Sequence, residues 1–196
     1  MDNLKKVCMV IAIQGFQVKK FFYPREVGVV TCDGTFKYLK YKMPYTREEL
    51  TPLDVKMVDF MKDFVNGLEF QCESDDSRDL SHLNDDIRQL YLSARRKDMY
   101  KVAYDGIAEK EILKELRIPG VSLTRYGCPG MYALEEYGYT APNGCGRHEE
   151  RPPMRRKFCT VKECSLYWQW LQDKIRQPED DKNSRDVQRK MLAALW

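Results

Sequence analysis

Apolar positions along the chain change their period several times, and each change marks an element. Residues 7–13, VCMVIAI, form an unbroken apolar run rich in branched side chains, with Gly15 just beyond it. A run this short and continuous predicts a central strand buried on both faces. Residues 26–31 and 35–42 predict two more strands, joined at 32–34 by Cys-Asp-Gly, a hairpin signal. In the second of these, Phe36, Tyr38 and Tyr41 interrupt a series of lysines. The first three strands therefore read as an antiparallel meander.

The period then lengthens. Thr51-Pro52 is a helix start, Thr51 as N-cap and Pro52 at the first helical position, and Leu53, Met57, Phe60, Met61 and Phe64 make an apolar stripe. Residues 68–72 predict a returning strand, and 73–78, ESDDSR, a polar loop. Ser81 opens a second helix with Leu83, Ile87, Leu90 and Ala94 on one face. A short strand at 101–104, a helix at 107–116 and a short strand at 121–123 follow, with Pro119-Gly120 ending the helical segment. Strands alternating with helices imply parallel pairing, so the expected fold is α/β, a mixed sheet flanked by helices. Residues 126–158 are rich in Gly, Pro, Tyr and Arg and read as a long loop with one helix near 131–137. A loop of that length calls for a function or a metal staple. Thr160 opens a strong helix reaching about residue 175, and residues 1–176 are expected to form one domain. Residues 177–183 are a polar linker, and 184–196 predict an amphipathic C-terminal helix, so 177–196 is an appendage.

Composition narrows this picture only slightly. The chain has 196 residues, 43% of them hydrophobic and 32% charged, which argues against a wholly disordered chain and against a membrane protein. A net charge of +3 is too mild to identify a nucleic-acid binder. The expected setting is intracellular, cytoplasm or nucleus, with no membrane partner.

Cysteine use is more informative. There are seven cysteines, at 8, 32, 72, 128, 145, 159 and 164, an odd count that fits reduced thiols better than a disulfide framework. Cys8 and Cys72 sit in apolar runs and read as small buried hydrophobes. Cys145, His148, Cys159 and Cys164 crowd together in a Cys-x2-His-x10-Cys-x4-Cys pattern. Thr160-Val-Lys-Glu163 reads as a capping box, which puts Cys159 at N′ and Cys164 at N4, the two positions that touch as a staple. A helix N-terminus also favours thiolates. Three Cys and one His make a closed tetrahedral set, so the expected cofactor is a structural Zn2+ held by Cys145, His148, Cys159 and Cys164. The other histidine, His82, reads as a surface or capping residue.

The order of elements resembles the ribonuclease-H-like fold of DEDD-type 3′–5′ exonucleases over roughly residues 5–175. In that family the first strand carries Asp-x-Glu for two metal ions; here the corresponding residues are Ala12 and Gln14. Segments similar to the family's two later motifs are residues 102–109, VAYDGIAE, with Glu109 where an Asp is expected, and 158–163, FCTVKE, with Phe158 for the base-like His and Glu163 for the last Asp. Two-metal phosphodiester cleavage needs carboxylates that bridge hard cations, and neither Ala12 nor Gln14 supplies one. The departure implies a catalytically inactive relative. A degenerate exonuclease-like domain with a Cys/His zinc site is similar in kind to the Maelstrom domain of small-RNA pathways. It is similar also to arthropod and viral proteins with G-C-P and C-x2-H segments, matched here by Gly127-Cys128-Pro129 and the four proposed ligands. The alternative is an active metal-dependent 3′–5′ ribonuclease with a rearranged acidic site of Asp105, Glu109 and Glu163.

Binding candidates complete the reading. Arg147, Arg151, Arg155, Arg156, Lys157 and Lys162 surround the proposed zinc loop, and Arg95, Arg96, Lys97 and Lys101 form a second basic group. With Tyr126, Tyr132, Tyr137 and Tyr139 nearby in sequence, they suit single-stranded nucleic acid, RNA above all, by phosphate neutralisation and base stacking. Val187, Met191, Leu192, Leu195 and Trp196 give the last segment an apolar face for its own domain, a protein partner or a second copy.

Overall fold

The structure, a computed structural model, describes residues 2–71, 76–141 and 159–176. Five strands make one mixed sheet in the order β3-β2-β1-β4-β5. They are β1 (Val7–Val18), β2 (Phe21–Thr31), β3 (Phe36–Lys40), β4 (Lys101–Tyr104) and β5 (Gly120–Ser122). β1 pairs antiparallel with β2, and β2 with β3, while β4 runs parallel to both β1 and β5. The helices are α1 (Asp2–Lys5), α2 (Pro52–Phe60), α3 (Leu83–Ala94), α4 (Ile107–Glu115), α5 (Met131–Glu136) and α6 (Thr160–Arg176). No helix among the described residues is long and apolar enough to cross a membrane.

The apolar run at the start of β1 is buried because it is the middle strand, covered on both faces. Val10 and Ala12 pack toward α5 and α6, with Cys128, Met131, Leu166 and Trp170. Met9, Ile11 and Ile13 pack toward α3 and α4, with Ile87, Tyr91 and Leu113. Gly28 on β2 lets α6 come this close, since a Cβ there would stand 2.7 Å from the Thr160 carbonyl oxygen.

β1 and β2 run further than the hydrophobic pattern predicts. Beyond Gln14 they continue as a two-stranded extension, bulged between Gln14 and Gly15 and turned at Lys19 and Lys20, both with positive φ. The extension buries Phe16 and Val18 in a third, smaller core with Leu50, Val58, Leu68 and Phe70. Residues 68–71 contribute these side chains without joining the sheet, so the strand predicted at 68–72 does not form over the described part. α2 also departs from its pattern. Val58 is its buried residue, whereas Leu53 (74% exposed), Phe60 (52%) and Phe64 (57%) lie on the outside. The extension is narrow, and it covers only the Val58 side of the helix.

Candidate functional site

At one end of the sheet the chain brings together three acids, two of them buried. β4 stops at Tyr104, and its pairing with β1 ends at Val10. The Ile13 N–H, on that open edge of β1, therefore needs another acceptor. Glu109, in the first turn of α4, supplies it: its Oε1 accepts from the Ile13 N–H at 2.6 Å. Gly106 makes room for that carboxylate, because a Cβ there would overlap Glu109 Oε2. From the opposite face, Glu163 on α6 reaches the same end, and its Oε2 accepts from Gln14 Nε2 at 3.1 Å. Asp105 closes the group, accepting from the Tyr167 hydroxyl at 2.8 Å and from the Thr124 hydroxyl.

Asp105, Glu109, Glu163, Gln14 and Tyr167 line one cavity of about 460 Å³, whose walls include Phe22, Val65, Met131 and Tyr132. The electrostatics follow from burial. Removing the Glu109 carboxyl from water pushes it up to about 7, against the donated Ile13 N–H, which favours its charge. Glu163 is pushed up to about 8 by burial first and by the Glu109 charge second. The Tyr167 hydroxyl is also raised, by burial and by its acidic neighbours. The cavity therefore holds protons readily. Among the described residues no three of His, Cys, Asp and Glu converge closely enough to hold a metal ion.

The capping box predicted at the head of α6 does not form. The Glu163 N–H donates to the Cys159 carbonyl at 2.8 Å, so Cys159 takes the cap position and Thr160 the first helical one. The Thr160 hydroxyl is buried and finds no hydrogen-bond partner among the described residues. A one-residue slip turns every side chain of the first turn by about 100°. It frees Glu163 from capping and aims it into the cavity. It also moves Cys164 away from the staple position: its Sγ–H points into the sheet, donating to the Gly28 carbonyl at 3.0 Å.

Of the four proposed zinc ligands, Cys159 and Cys164 are both buried at the start of α6, and the Cys164 thiol is raised by burial first, then by Glu163 and Glu109, with Cys159 a lesser cause. As a ligand Cys164 would exchange its bond to Gly28 for the metal. Cys145 and His148 lie outside the described residues.

The basic candidates divide in the same way. Arg147, Arg151, Arg155, Arg156 and Lys157 lie outside the described residues, as do Leu192, Leu195 and Trp196. Arg95 is exposed just after α3. Arg96 folds back, its Nη1 donating to the Ser93, Ala94 and Arg95 carbonyls at the end of that helix. Both stand near Cys8, at the start of β1. Six residue steps along β1 separate Cys8 from Gln14, about 20 Å, so this group is remote from the acidic cavity. Lys162 is paired with Glu135. Tyr126, Tyr132 and Tyr139 pack against the core, and of the four loop tyrosines only Tyr137 is largely exposed.

The sequence resemblance had already singled out Gln14, Glu109 and Glu163, and the rearranged acidic site names Asp105. Their convergence is what the structure adds. Tyr167 is the member with no earlier signal, since at four residues beyond Glu163 it reads as one more apolar position of α6. No protein-family model matches the chain, and no curated protein matches it. The fold and site define an α/β protein with a five-stranded mixed sheet and an acidic cavity lined by the buried Glu109 and Glu163.

Proposed function

We propose that the chain is a ribonuclease-H-like domain that has lost phosphodiester cleavage and acts as an adaptor for single-stranded nucleic acid, RNA in the first place, or for a protein partner. The meander of three strands followed by two parallel strands supports the resemblance to DEDD-type exonucleases. One observation carries the loss of cleavage: the Gln14 amide donates to Glu163 at the place where that family would have a second carboxylate. An amide hydrogen there satisfies Glu163 as a cation otherwise would, and Ala12, two residues before, offers no ligand atom. Burial raises Glu109 and Glu163, to about 7 and about 8, which disfavours the paired charged carboxylates that hold hard cations.

A structural Zn2+ on Cys145, His148, Cys159 and Cys164 belongs to the same proposal, tying residues 142–158 to the head of α6. Arg95, Arg147, Arg151, Arg155, Arg156 and Lys157, with Arg96 in support, are the proposed phosphate contacts.

The test combines metal analysis with two assays on the purified chain. The expected results are about one equivalent of zinc, no cleavage of labelled single-stranded RNA with Mg2+ or Mn2+, and salt-sensitive RNA binding weakened by Arg95→Glu. A second reading, an active ribonuclease, is favoured by Asp105, Glu109 and Glu163 lining one cavity. Metal-stimulated cleavage that disappears in Glu109→Ala would establish it and remove the first.

A further inference from the structure

We propose that Cys8 and Cys32 form a reversible disulfide across the β1–β2 ladder. Met9 faces Thr31 and Val10 faces Val30, so one more step in the same register sets Cys8 opposite Cys32. The Cys32 N–H donates to the Cys8 carbonyl at 2.8 Å and holds the two backbones at ladder spacing. Opposed antiparallel residues have Cα atoms about 4.5–5.5 Å apart, inside the span of about 4.4–6.8 Å that a disulfide accepts. Both sulfurs also lie on the α3 side of the sheet. Cys8 Sγ–H donates to the Lys101 carbonyl at 3.3 Å, and Cys32 Sγ–H to that of Ala94 at 3.8 Å, at the end of α3. Cys32 is close enough to be the second cause, after burial, that raises the Cys8 thiol. Thiol donors are weak, so turning the sulfurs toward one another gives up little.

The two cysteines differ in access. Cys32 is half-buried, whereas Cys8 is wholly enclosed and burial pushes its thiol up to about 11. Cys32 is therefore the point of entry for a small peroxide, here hydrogen peroxide. Its sulfur takes one peroxide oxygen and becomes a sulfenic acid, and the other oxygen leaves as water. The Cys8 sulfur then attacks the Cys32 sulfur; the S–S bond forms, the S–O bond breaks, and a second water carries away the oxygen and both remaining protons. Peroxide is reduced by two electrons and the thiol pair is oxidised by two. The product ties β1 to β2 at the end of the sheet opposite the acidic cavity, and a dithiol reverses it. The inference does not depend on the proposed adaptor role.

The whole chain, treated with a small excess of hydrogen peroxide under native conditions and then alkylated, provides the test. Trypsin releases Cys8 and Cys32 on separate peptides, residues 7–19 and 26–37. The expected product is those two peptides joined, two hydrogens lighter than their sum, released by dithiothreitol and absent from Cys32→Ser. The melting temperature of the oxidised chain should rise by several degrees and return on reduction. Cys8→Ala, as a second variant, should leave Cys32 at the sulfenic stage or trapped by an added thiol. Three results would overturn the proposal: Cys32 advancing to sulfinic acid in the native chain while Cys8 stays reduced, either cysteine joining a different one, or both remaining as thiols.

Discussion

Glu163 and Glu109 show how far a single side chain's surroundings can move its chemistry. Both carboxyls have an ordinary value of 4.5 and are raised in the folded protein, to about 8 and about 7. Below pH 4.5 the folded and unfolded chains both keep these protons, so the pair costs nothing. As pH rises from there toward 8, the unfolded chain releases them and the folded chain retains them, so stability falls. Glu163→Gln removes Glu163's share of that slope while keeping an oxygen to accept from Gln14. It should match the parent at pH 4.5 and exceed it at pH 8 by about 1–3 kcal/mol, as read by urea denaturation at the two pH values. Gly106 belongs to the same residue-scale design. Gly106→Ala should cost about 1–3 kcal/mol by overlapping the Glu109 carboxylate. Most of that cost should vanish in the double variant with Glu109→Ala, a coupling of about 1 kcal/mol or more in a double-mutant cycle.

The elements bring these residues together by close approach rather than by regular pattern. α6 can lie against β2 only because position 28 has no side chain. Gly28→Ala would drive a methyl into the Thr160 carbonyl and push back the helix that carries Glu163, Cys164 and Tyr167. Thermal unfolding should register a loss of about 1–3 kcal/mol. α2 makes the opposite case. Its most regular apolar stripe, Leu53-Met57-Phe60, is on the outside, and Val58 is its buried anchor. Leu53→Ser should therefore change stability by about 0.5 kcal/mol or less, while Val58→Ala should cost about 2 kcal/mol. Chemical denaturation of the two variants side by side separates the buried face from the exposed one.

At the scale of the whole molecule, β1 is the axis. It is hydrogen-bonded on both sides, to β2 and β4, and each of its faces has its own core. Amides from Met9 to Val10 can exchange only when the sheet itself comes apart. Hydrogen-exchange mass spectrometry should find them among the slowest of the described residues, whereas the Lys20 amide at the exposed turn should exchange early. The same axis separates two chemistries. The acidic cavity sits at the end where β4 stops, and Arg95, Arg96, Cys8 and Cys32 gather at the other.

Much of the architecture was legible without coordinates. The unbroken run at 7–13 could be buried only as a middle strand, the Asp-Gly at 33–34 could only turn the chain, and the helical period at 83–94 marked most of its own inner face. These features are local: burial on both faces, turn chemistry and a repeat of 3.6 residues are written into neighbouring positions. The strand predicted at 68–72 and the inward stripe of α2 failed because hydrophobicity says that a residue will be covered, not by what. The site was less legible still. Gln14, Asp105, Glu109 and Glu163 are spread over 150 residues of chain, and each has an ordinary local explanation in its own segment. The capping frame of α6 hung on one residue, and Cys159 rather than Thr160 took the cap because the helix had to seat against Gly28. Sequence determined most of the strand and helix segments and placed Asp105, Glu109 and Glu163 near the starts of two helices far apart in the chain. Only tertiary packing decided that those acids would share one cavity with Glu109 and Glu163 desolvated, since desolvation is a property of everything around a group and not of the group itself.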